Sequence, residues 1–409
     1  MNQPPQGIQD YIHTLEAGGG RAVIRWLLGL LFTLGLLALY LFTEARNFHN
    51  PEAMDRAQLA RNLAAGLGYT TLYIRPLSVQ LQLARAEQRG SPDPLLLRQP
   101  HRDISNPPVQ PVLLAGVFQL LPERLRSSLP GDLVRSRPPA EIALTGFNLA
   151  CFGLAVWLTY QVGRRIFDPG VAGFAAATLA ATELFWRMSS NGLDTPLLLV
   201  WLMLAVWLLW QLDVLGQAVR PHPEPPPPAG PTLRRALGVG ALLGLGCLTR
   251  YSFGWLLLPV LAFILWVSPR RWLAALAAVA AFLLVVAPWL ARNYQLSGRL
   301  FGTAGYALAA GTLTYPEDRL ERRVQPLKEM PDFTEYRIKF ALNAADSLRN
   351  ALPRLGGNWI WYLFLAGLAM PFNNRAIGRL RWLAVYSVIT LALVEAGAQT
   401  HLYQLVPQV

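Results

Sequence analysis

The sequence predicts an all-α polytopic membrane protein with about nine transmembrane helices and two large extracytoplasmic loops that carry interfacial helices. The chain has 409 residues, of which 53% are hydrophobic and only 15% are charged, whereas about 25% of residues are charged in soluble domains. Several apolar runs are long enough to cross a bilayer. The net charge is +12, but the arginines lie in short segments between these runs, which is typical of cytoplasmic loops. The lipid bilayer is therefore the expected partner, and no nucleic acid is expected.

The first apolar run, residues 24–42, is the first predicted span. It is longer than the core of a signal peptide and no small-residue cleavage site follows it, so we expect an uncleaved anchor. Two arginines, Arg21 and Arg25, precede the apolar stretch. They place residues 1–23 in the cytoplasm as an N-terminal tail and residues 43–143 outside as a first outer loop.

The first outer loop is expected to contain a helix over residues 54–67. Ala, Leu, Arg and Gln dominate this stretch, Asn50 can cap the helix, and Pro51 suits its first turn. Two glycines at the far end can stop it. Later in the loop, the apolar part of residues 107–122 is too short to span, which favours an interfacial helix that lies along the membrane.

Eight further spans are predicted after this loop. They cover residues 144–162, 171–186, 195–212, 235–249, 254–267, 272–291, 358–371 and 382–397. With these spans, the short arginine-rich loops all fall on the cytoplasmic side. Residues 214–234 form a Pro-rich cytoplasmic linker that favours polyproline II, and residues 292–357 form a second outer loop with one or two soluble helices. The transmembrane core is therefore 24–291, and a transmembrane pair occupies 358–409.

Three acidic residues on the predicted outer face are candidates for acid–base chemistry. Glu52 and Asp55 lie three residues apart, so a helix would place both carboxylates on one face. The alternative is an amphipathic surface helix whose acids are solvated. Asp194 lies at the outer end of the fourth span, where an acid either belongs to a functional site or caps the helix that follows it.

Basic residues gather on the same predicted face. Arg250 and Arg292 each end a span that runs outward, and Arg75 lies in the first outer loop. A guanidinium group at the outer end of a span either extends its charge to the membrane–water interface or binds the oxygens of a lipid phosphate. A divalent metal is compatible with the acids and with His49 and His101, but no spacing requires one.

Several other kinds of site are not indicated by the sequence. Cys151 and Cys247 both fall within apolar runs, which predicts neither a disulfide framework nor a metal–thiolate site. No Walker loop and no GxSxG, HExxH or CxxC motif occurs. The sequence therefore predicts no required cofactor, and a divalent metal stays an open option.

The order and spacing of several segments resemble the GT-C superfamily of membrane glycosyltransferases. The likeness is greatest to the bacterial relatives of dolichyl-phosphate-mannose protein mannosyltransferases and of aminoarabinose transferases, the glycosyltransferase family 39-like group. It extends from about residue 24 to residue 300. The segments that carry it are the first span followed by MDRAQLARNLAAGLGYTT, then NPPVQPVLLAGVFQLLP, FNLACFGLAVWLTYQVGRRIF, SSNGLDTPLLL, LGLGCLTRYSF and APWLARNYQLSGRLFG.

The resemblance implies a transferase that moves a sugar from a polyprenyl-phosphate donor to a protein, lipid or glycan acceptor. Such activity serves protein glycosylation or the modification of lipid A or another cell-envelope glycan. Asp55 matches the family's general base, with Glu52 as the alternate, and Asp194 matches its second acid. The basic residues that would hold the donor phosphate are Arg250, Arg292 and Arg75. Residues that could contact the acceptor or the sugar are His101, Asp103, Asn106, His401 and Tyr403.

The resemblance also implies a multi-pass protein of the bacterial inner membrane with its active site on the periplasmic side. The sequence departs from the family pattern in two ways. Many relatives have an adjacent acidic pair followed by Tyr, whereas Glu52 and Asp55 are separated here, and many have more spans, which suggests either a short member or a truncated chain at Val409. Two other functions stay open: a lipid or amphiphile transporter or flippase, and a scaffold whose Pro-rich segment recruits a partner.

Overall fold

The computed structural model describes residues 50–90, 100–122, 139–219, 229–316, 320–323, 330–352, 359–372 and 374–398, with isolated helical positions before residue 50. The chain divides into two compact units, residues 1–47 and 48–409. The elements and the site discussed below belong to the second unit. The predicted N-terminal tail and most of the first predicted span lie outside the described residues.

The segment predicted as the first outer loop, called the first outer segment below, begins with the expected helix, α1, over Pro51–Ala64. Asn50 caps it, because its Oδ1 accepts a hydrogen bond from the backbone N–H of Glu52 at 2.9 Å. Gly66 and Gly68 follow the helix with φ angles of 76° and 74°, which glycine adopts without steric cost. The prediction of this helix, of its cap and of the glycines that follow it is confirmed, although the helix ends at Ala64 rather than at residue 67.

Two features of the first outer segment were not predicted. Helix α2 occupies Pro76–Gln88, and a short antiparallel pair joins strand β1, Thr70–Thr71, to strand β2, His101–Arg102. In this pair Thr71 lies opposite His101. The pair brings the end of the first outer segment back beside its beginning.

The short apolar helix expected after this segment is α3, over Val109–Leu120. One face of α3 packs on α1 and on Leu144 through Leu114 and Phe118. The opposite face exposes the apolar side chains of Val112 and Leu120. A helix of 12 residues is about 18 Å long, which is too short to cross a bilayer.

The rest of the chain is a series of helices, most of them apolar. They are α4 Pro139–Ile166, α5 Pro169–Ala181, α6 Glu183–Ser190, α7 Thr195–Val219, α8 Ala229–Cys247, α9 Leu257–Val267, α10 Arg271–Ser297, α11 Phe333–Asp346, α12 Trp359–Ala369 and α13 Arg375–Ala398. A 3-10 helix, Tyr251–Leu256, leads into α9. Helices therefore overlap each of the eight predicted spans that follow the first outer loop.

Four of the described helices are long and apolar enough to cross a membrane by length and composition. These are Glu141–Ile166, Thr195–Gln217, Arg271–Ser297 and Arg375–Ala398. Shorter apolar helices are Val109–Leu120, Pro169–Ala181, Tyr251–Val267 and Ile360–Ala369. The described part of the chain is therefore all-α and contains four candidate membrane-spanning helices.

The third predicted span, residues 171–186, is not one continuous helix. Thr182 ends α5 with an extended backbone (φ −78°, ψ 106°), and α6 starts immediately afterwards. The indole Nε1 of Trp186 donates to the carbonyl of Ala180 at 2.6 Å. This bond satisfies one of the carbonyls that the end of α5 leaves without a helical partner, so the break is stabilised by the residues around it.

The predicted Pro-rich linker is shorter than residues 214–234, because both flanking helices enter it. Helix α7 continues to Val219, and α8 begins at Ala229. Pro231 lies within the first turn of α8, where a backbone N–H has no helical acceptor in any case. The polyproline II conformation was predicted for residues that lie mainly outside the described ones.

Small residues allow α8 and α10 to approach closely in the centre of the helical assembly. A Cβ at Gly240 would collide with the carbonyl of Ala278, and a Cβ at Gly244 would press on the side chain of Val285. Small residues four apart permit this backbone approach. The position of α10, which carries Arg292, is thus determined partly by glycines on α8.

The second outer segment begins later than predicted, because α10 runs to Ser297 and ends at Gly298 with φ 69°. A 3-10 helix, Ala304–Leu308, follows. Helix α11 is one of the soluble helices expected in this loop. Lys339 of α11 is buried against the 3-10 helix and donates to the carbonyls of Ala307 and Leu308 at 2.8 and 3.0 Å.

A buried ion pair joins α7 to α13. Arg379 Nη2 donates to Asp213 Oδ2 at 2.9 Å, and Arg379 Nε lies 2.7 Å from Asp213 Oδ1. Gln217 Nε2 donates to the same Oδ2 at 2.7 Å. Asp213 is 19 positions after Asp194, which directly precedes α7, so at 1.5 Å per residue the two acids are about 28 Å apart along the helix axis. Each end of this span therefore has its own acid–arginine cluster.

Candidate active site

Arg75 connects two acids at the start of α2. Its Nη2 donates to Asp55 Oδ2 at 2.6 Å, and its Nη1 donates to Asp103 Oδ1 at 3.2 Å. The two carboxylates come from α1 and from the segment after β2. Both acids are buried, with 2% of the Asp55 side chain and 1% of the Asp103 side chain exposed. One guanidinium group is therefore shared by two buried carboxylates.

Two neutral residues complete the surroundings of Asp55. Thr71 Oγ1 donates to Asp55 Oδ1 at 2.8 Å, and Asn106 Nδ2 donates to Asp55 Oδ2 at 2.5 Å. With Arg75, three donors thus hold this carboxylate. They come from β1, from the loop before α3 and from the start of α2, so the orientation of Asp55 depends on three parts of the outer segment.

The segment from Asp103 to Asn106 is held firmly against the helical assembly. Arg292 Nη1 donates to the carbonyl of Asp103 at 2.9 Å, and Thr303 Oγ1 donates to Ser105 Oγ at 2.8 Å. Gly302 has φ 57° and lies so close to the carbonyl of Ile104 that a Cβ would collide with it. The end of α10 and the second outer segment therefore fix the position of Asp103.

Arg292 is surrounded by aromatic rings and carbonyl groups. Its guanidinium carbon lies 4.5 Å from the ring centre of Trp289 and 5.2 Å from that of Tyr69, which is cation–π distance. Its N–H groups also donate to the carbonyl of Tyr69 at 3.4 Å and to Asn293 Oδ1 at 3.1 Å. Arg292 thus holds the outer segment to α10, and much of its donor capacity is already used.

Asp194 and two arginines form a second cluster. Arg250 donates to both carboxylate oxygens of Asp194 through Nε and Nη2, and Arg56 Nη1 lies 3.2 Å from Asp194 Oδ2. The Asp194 side chain is 0% exposed, whereas 39% of the Arg250 side chain is exposed. Asp194 does precede the first turn of α7, as the capping alternative predicts, but its carboxylate faces these arginines.

Gln110 and consecutive residues of α1 link the two clusters. Arg56 follows Asp55 directly, and its Nη1 donates to Gln110 Oε1 at 3.2 Å. Gln110 Nε2 in turn donates to the carbonyl of Gly192, just before α7, at 3.3 Å. The first outer segment and the mouth of the fourth predicted span are therefore joined through buried polar groups.

The acids of the two clusters have different electrostatic surroundings. Burial raises the pKa of Asp103 to about 6, with Arg75 lowering the pKa and Asp55 raising it. Burial also raises the pKa of Asp194, but Arg250 and Arg56 outweigh this effect and hold the pKa below its ordinary value. Asp103 can therefore change its charge near neutral pH, whereas Asp194 stays ionised.

Tyr69 lies between the first outer segment and α10. Its hydroxyl donates to the carbonyls of Asn106 and Pro107, both at 3.1 Å, and its ring contacts Trp289 edge to face at 4.9 Å between centres. Burial raises the pKa of Tyr69 well above its ordinary value, with the charge of Asp103 adding to the effect. Tyr69 therefore remains a neutral donor.

The other residues predicted for the site are distributed differently. Glu52 is 47% exposed and its Oε2 lies 3.6 Å from Arg56 Nη2, so it lies at the edge of the second cluster. Asn106 contacts Asp55, as described above, and His101 lies in β2, two residues before Asp103. His401 and Tyr403 fall outside the described residues. Within those residues no three His, Cys, Asp or Glu side chains form a group that could hold a metal ion.

Sequence reasoning missed several residues of the two clusters. Arg56 follows Asp55 and lies four residues after Glu52, a helical ion-pair spacing that could have indicated its role. Gln110 and Tyr69 carry no comparable signal, because their partners lie 54 and 37 residues away. Arg75 and Asp103 were predicted separately, but nothing in the sequence pairs them.

No protein-family model, curated protein or solved structure matches this chain. The resemblance to the GT-C superfamily therefore stays a prediction from the sequence segments named above. The function must be argued from the geometry of the two clusters.

Proposed function

We propose that the protein is an integral-membrane glycosyltransferase of GT-C type that uses a polyprenyl-phosphate sugar as donor. The observation that carries the proposal is the joining of two buried acid–arginine clusters at one end of apolar helices, through the consecutive residues Asp55 and Arg56. Ionisable groups so close to membrane-spanning segments are expensive to bury and usually functional. Sugar transfer from a lipid phosphate needs a base and a cation for the leaving phosphate, and this junction contains both.

In the proposed reaction Asp55 is the general base. An acceptor hydroxyl or amine would replace one of the donors that now hold the carboxylate, and Asp55 would take its proton. The acceptor atom then bonds to the anomeric carbon of the sugar as the bond from that carbon to the phosphate oxygen breaks. Polyprenyl phosphate leaves with the electron pair of that bond.

Arg250 is the best candidate to hold the donor phosphate. It keeps a large exposed fraction while Asp194 orients it through two contacts, and a guanidinium fork matches phosphate oxygens. Arg75 and Arg292 were predicted for the same role, but Arg75 is divided between two acids and Arg292 is engaged with carbonyl groups. We therefore assign these two arginines to the support of the base.

The number of spans, the membrane and the side on which the clusters lie belong to the same proposal. A nine-span arrangement in a bacterial inner membrane, with both clusters on the periplasmic side, agrees with the distribution of arginines along the sequence. The lipid tail of the donor would lie against apolar helices near Arg250. A protein, lipid or glycan acceptor would approach from the aqueous side, where Glu52 is exposed.

A transfer assay tests the proposal. Native protein and Asp55→Asn are reconstituted in proteoliposomes with a panel of radiolabelled polyprenyl-phosphate sugars and membrane extracts that contain acceptors. We expect label transfer by the native protein and a loss of about 10²–10⁴-fold in the variant, which is the usual contribution of a general base. Glu183→Gln is the matched control, because Glu183 is an exposed acid that contacts only Arg187 among the ion pairs described.

The outcomes separate the competing functions. Unchanged transfer by Asp55→Asn would remove Asp55 from the role of base. Movement of the labelled lipid between leaflets with no sugar transfer would favour a lipid transporter instead.

A further inference from the structure

The two carboxylates that share Arg75 cannot both be neutralised by it. Asp55 and Asp103 together carry two negative charges when ionised, and Arg75 supplies one positive charge. Arg75 is closer to Asp55, at 2.6 Å, than to Asp103, at 3.2 Å. The charge on Asp103 therefore decides how strongly Arg75 stabilises the carboxylate of Asp55.

The structure prevents Asp103 from moving away when its charge changes. Its Oδ2 accepts the backbone N–H of Asn106 at 2.9 Å, and the side chain of that same Asn106 donates to Asp55. Arg292 holds its carbonyl, and Gly302 packs on the next residue. A change in the charge of Asp103 therefore alters the electrostatic surroundings of Asp55, because these contacts keep the loop from moving away.

We propose that Asp103 is a positioning residue for Asp55, because the two carboxylates compete for Arg75. When Asp103 is ionised, Arg75 is shared, and Asp55 is held less tightly and can receive the proton of the acceptor. When Asp103 is protonated, Arg75 pairs more strongly with Asp55, and proton transfer to Asp55 is slower. This inference rests on the proposed function, in which Asp55 accepts the proton of the acceptor.

The charged and titratable groups around Asp103 come from several elements. Arg75, directly before α2, pairs with its carboxylate, and Asp55 of α1 pairs with the same arginine. Arg292 of α10 donates to its backbone carbonyl. Its neighbour in β2 is Arg102, and the hydroxyls of Tyr69 and Tyr251 also lie within its electrostatic range. Burial places the pKa of Asp103 at about 6, so the exchange of its proton falls close to neutral pH.

The first test is the pH dependence of sugar transfer. In the native protein we expect kcat to fall as the pH is lowered through about 6, because protonated Asp103 leaves Arg75 to Asp55. Asp103→Asn imitates the protonated form, so its kcat should be low and free of the inflection near 6. Asp103→Glu should restore an inflection, which is not expected of a residue that merely supports the fold. An unchanged inflection in Asp103→Asn would overturn the proposal.

The second test needs no activity and measures the melting temperature in detergent against pH. A carboxyl whose pKa is raised on folding binds its proton more tightly in the folded state. Its contribution to stability is therefore present below about pH 4 and lost as the pH rises to about 6. We expect this feature in the native protein and in Glu183→Gln, and we expect Asp103→Asn to lack it.

The coupling itself is tested by Asp55→Asn in the same measurement. Removing the charge of Asp55 removes a repulsion and gives Arg75 to Asp103, so the upper end of the feature should move down by roughly one pH unit or more. If the upper pH limit of the feature is the same in Asp55→Asn as in the native protein, the coupling is overturned, even if Asp103 itself titrates. If the movement occurs but the native protein transfers no sugar from any donor, the proposed function fails and the coupling stands.

Discussion

Asp55 and Arg56 are consecutive residues of α1, yet their side chains enter different ion-pair clusters. Asp55 faces Arg75, whereas Arg56 contacts Asp194 at the start of α7. Adjacent positions on a helix are rotated by about 100° from one another, so one turn of α1 can contribute to both clusters. A shift of α1 would consequently change the proposed base, Asp55, and the surroundings of the proposed phosphate anchor, Arg250, together.

The different surroundings of Arg250 and Arg292 predict different effects of their removal. Arg250→Gln should raise the KM for the lipid donor by roughly 10- to 150-fold, which corresponds to the loss of about 1.5–3 kcal/mol from hydrogen bonds to a charged group. Arg292→Gln should lower the melting temperature and leave the donor KM much less affected, because Arg292 holds backbone carbonyls. Steady-state kinetics and thermal melts on both variants make the comparison, and a larger KM effect in Arg292→Gln would reverse the assignment.

Gly302 should tolerate no side chain. Gly302→Ala places a Cβ against the carbonyl of Ile104 at a positive φ, and we expect a loss of about 1–3 kcal/mol in stability together with reduced transfer. Gly305→Ala is the matched control, since nothing lies within 4 Å of its added Cβ. Thermal melts of the two variants test this, and equal melting temperatures would show that the loop moves to accommodate the methyl group.

The buried pair of Asp213 and Arg379 should be sensitive to the removal of one partner. Arg379→Gln leaves Asp213 buried without its charge partner, and we expect a loss of about 3–5 kcal/mol. The double variant Asp213→Leu with Arg379→Met should recover much of this loss, because no charge remains buried. Arg187→Gln breaks an exposed pair with Glu183 and should change stability by about 0–1 kcal/mol. If the double variant loses as much stability as Asp213→Leu and Arg379→Met lose together when each is made alone, the two residues do not act as a pair.

Lys339 should make stability depend on pH in the alkaline range. Burial lowers its pKa from 10.5 to about 8, so the folded protein binds fewer protons than the unfolded chain between these values. Stability should therefore rise as the pH increases from about 8 to about 10.5. Lys339→Met should remove this rise, whereas Arg337→Met, an exposed change on the same helix, should preserve it. The test is to measure melting temperatures across this pH range. If the native protein shows no rise, Lys339 is fully charged in the folded state and the prediction is wrong.

Local signals in the sequence were sufficient for much of the fold. Asn50 and the proline after it mark the start of α1, and the two glycines just beyond its far end mark its stop, so each end could be predicted from residues next to it. The length and apolar composition of the Thr195–Gln217 and Arg271–Ser297 helices predicted spans in the same way. Local reasoning failed at Thr182, because the apolar composition continues across the break between α5 and α6 and gives no signal for it.

The sequence by itself determined the class of the protein, the apolar helices and the residue types available for chemistry. The tertiary structure decided which of those residues meet. Asp55 and Asn106 are 51 positions apart, and Arg292 and Asp103 are 189 apart. Such contacts depend on how α8 packs on α10 and on where the second outer segment folds back, and neither is encoded in a short stretch. Burial follows from the same packing, and it is burial that gives Asp103 a pKa near 6.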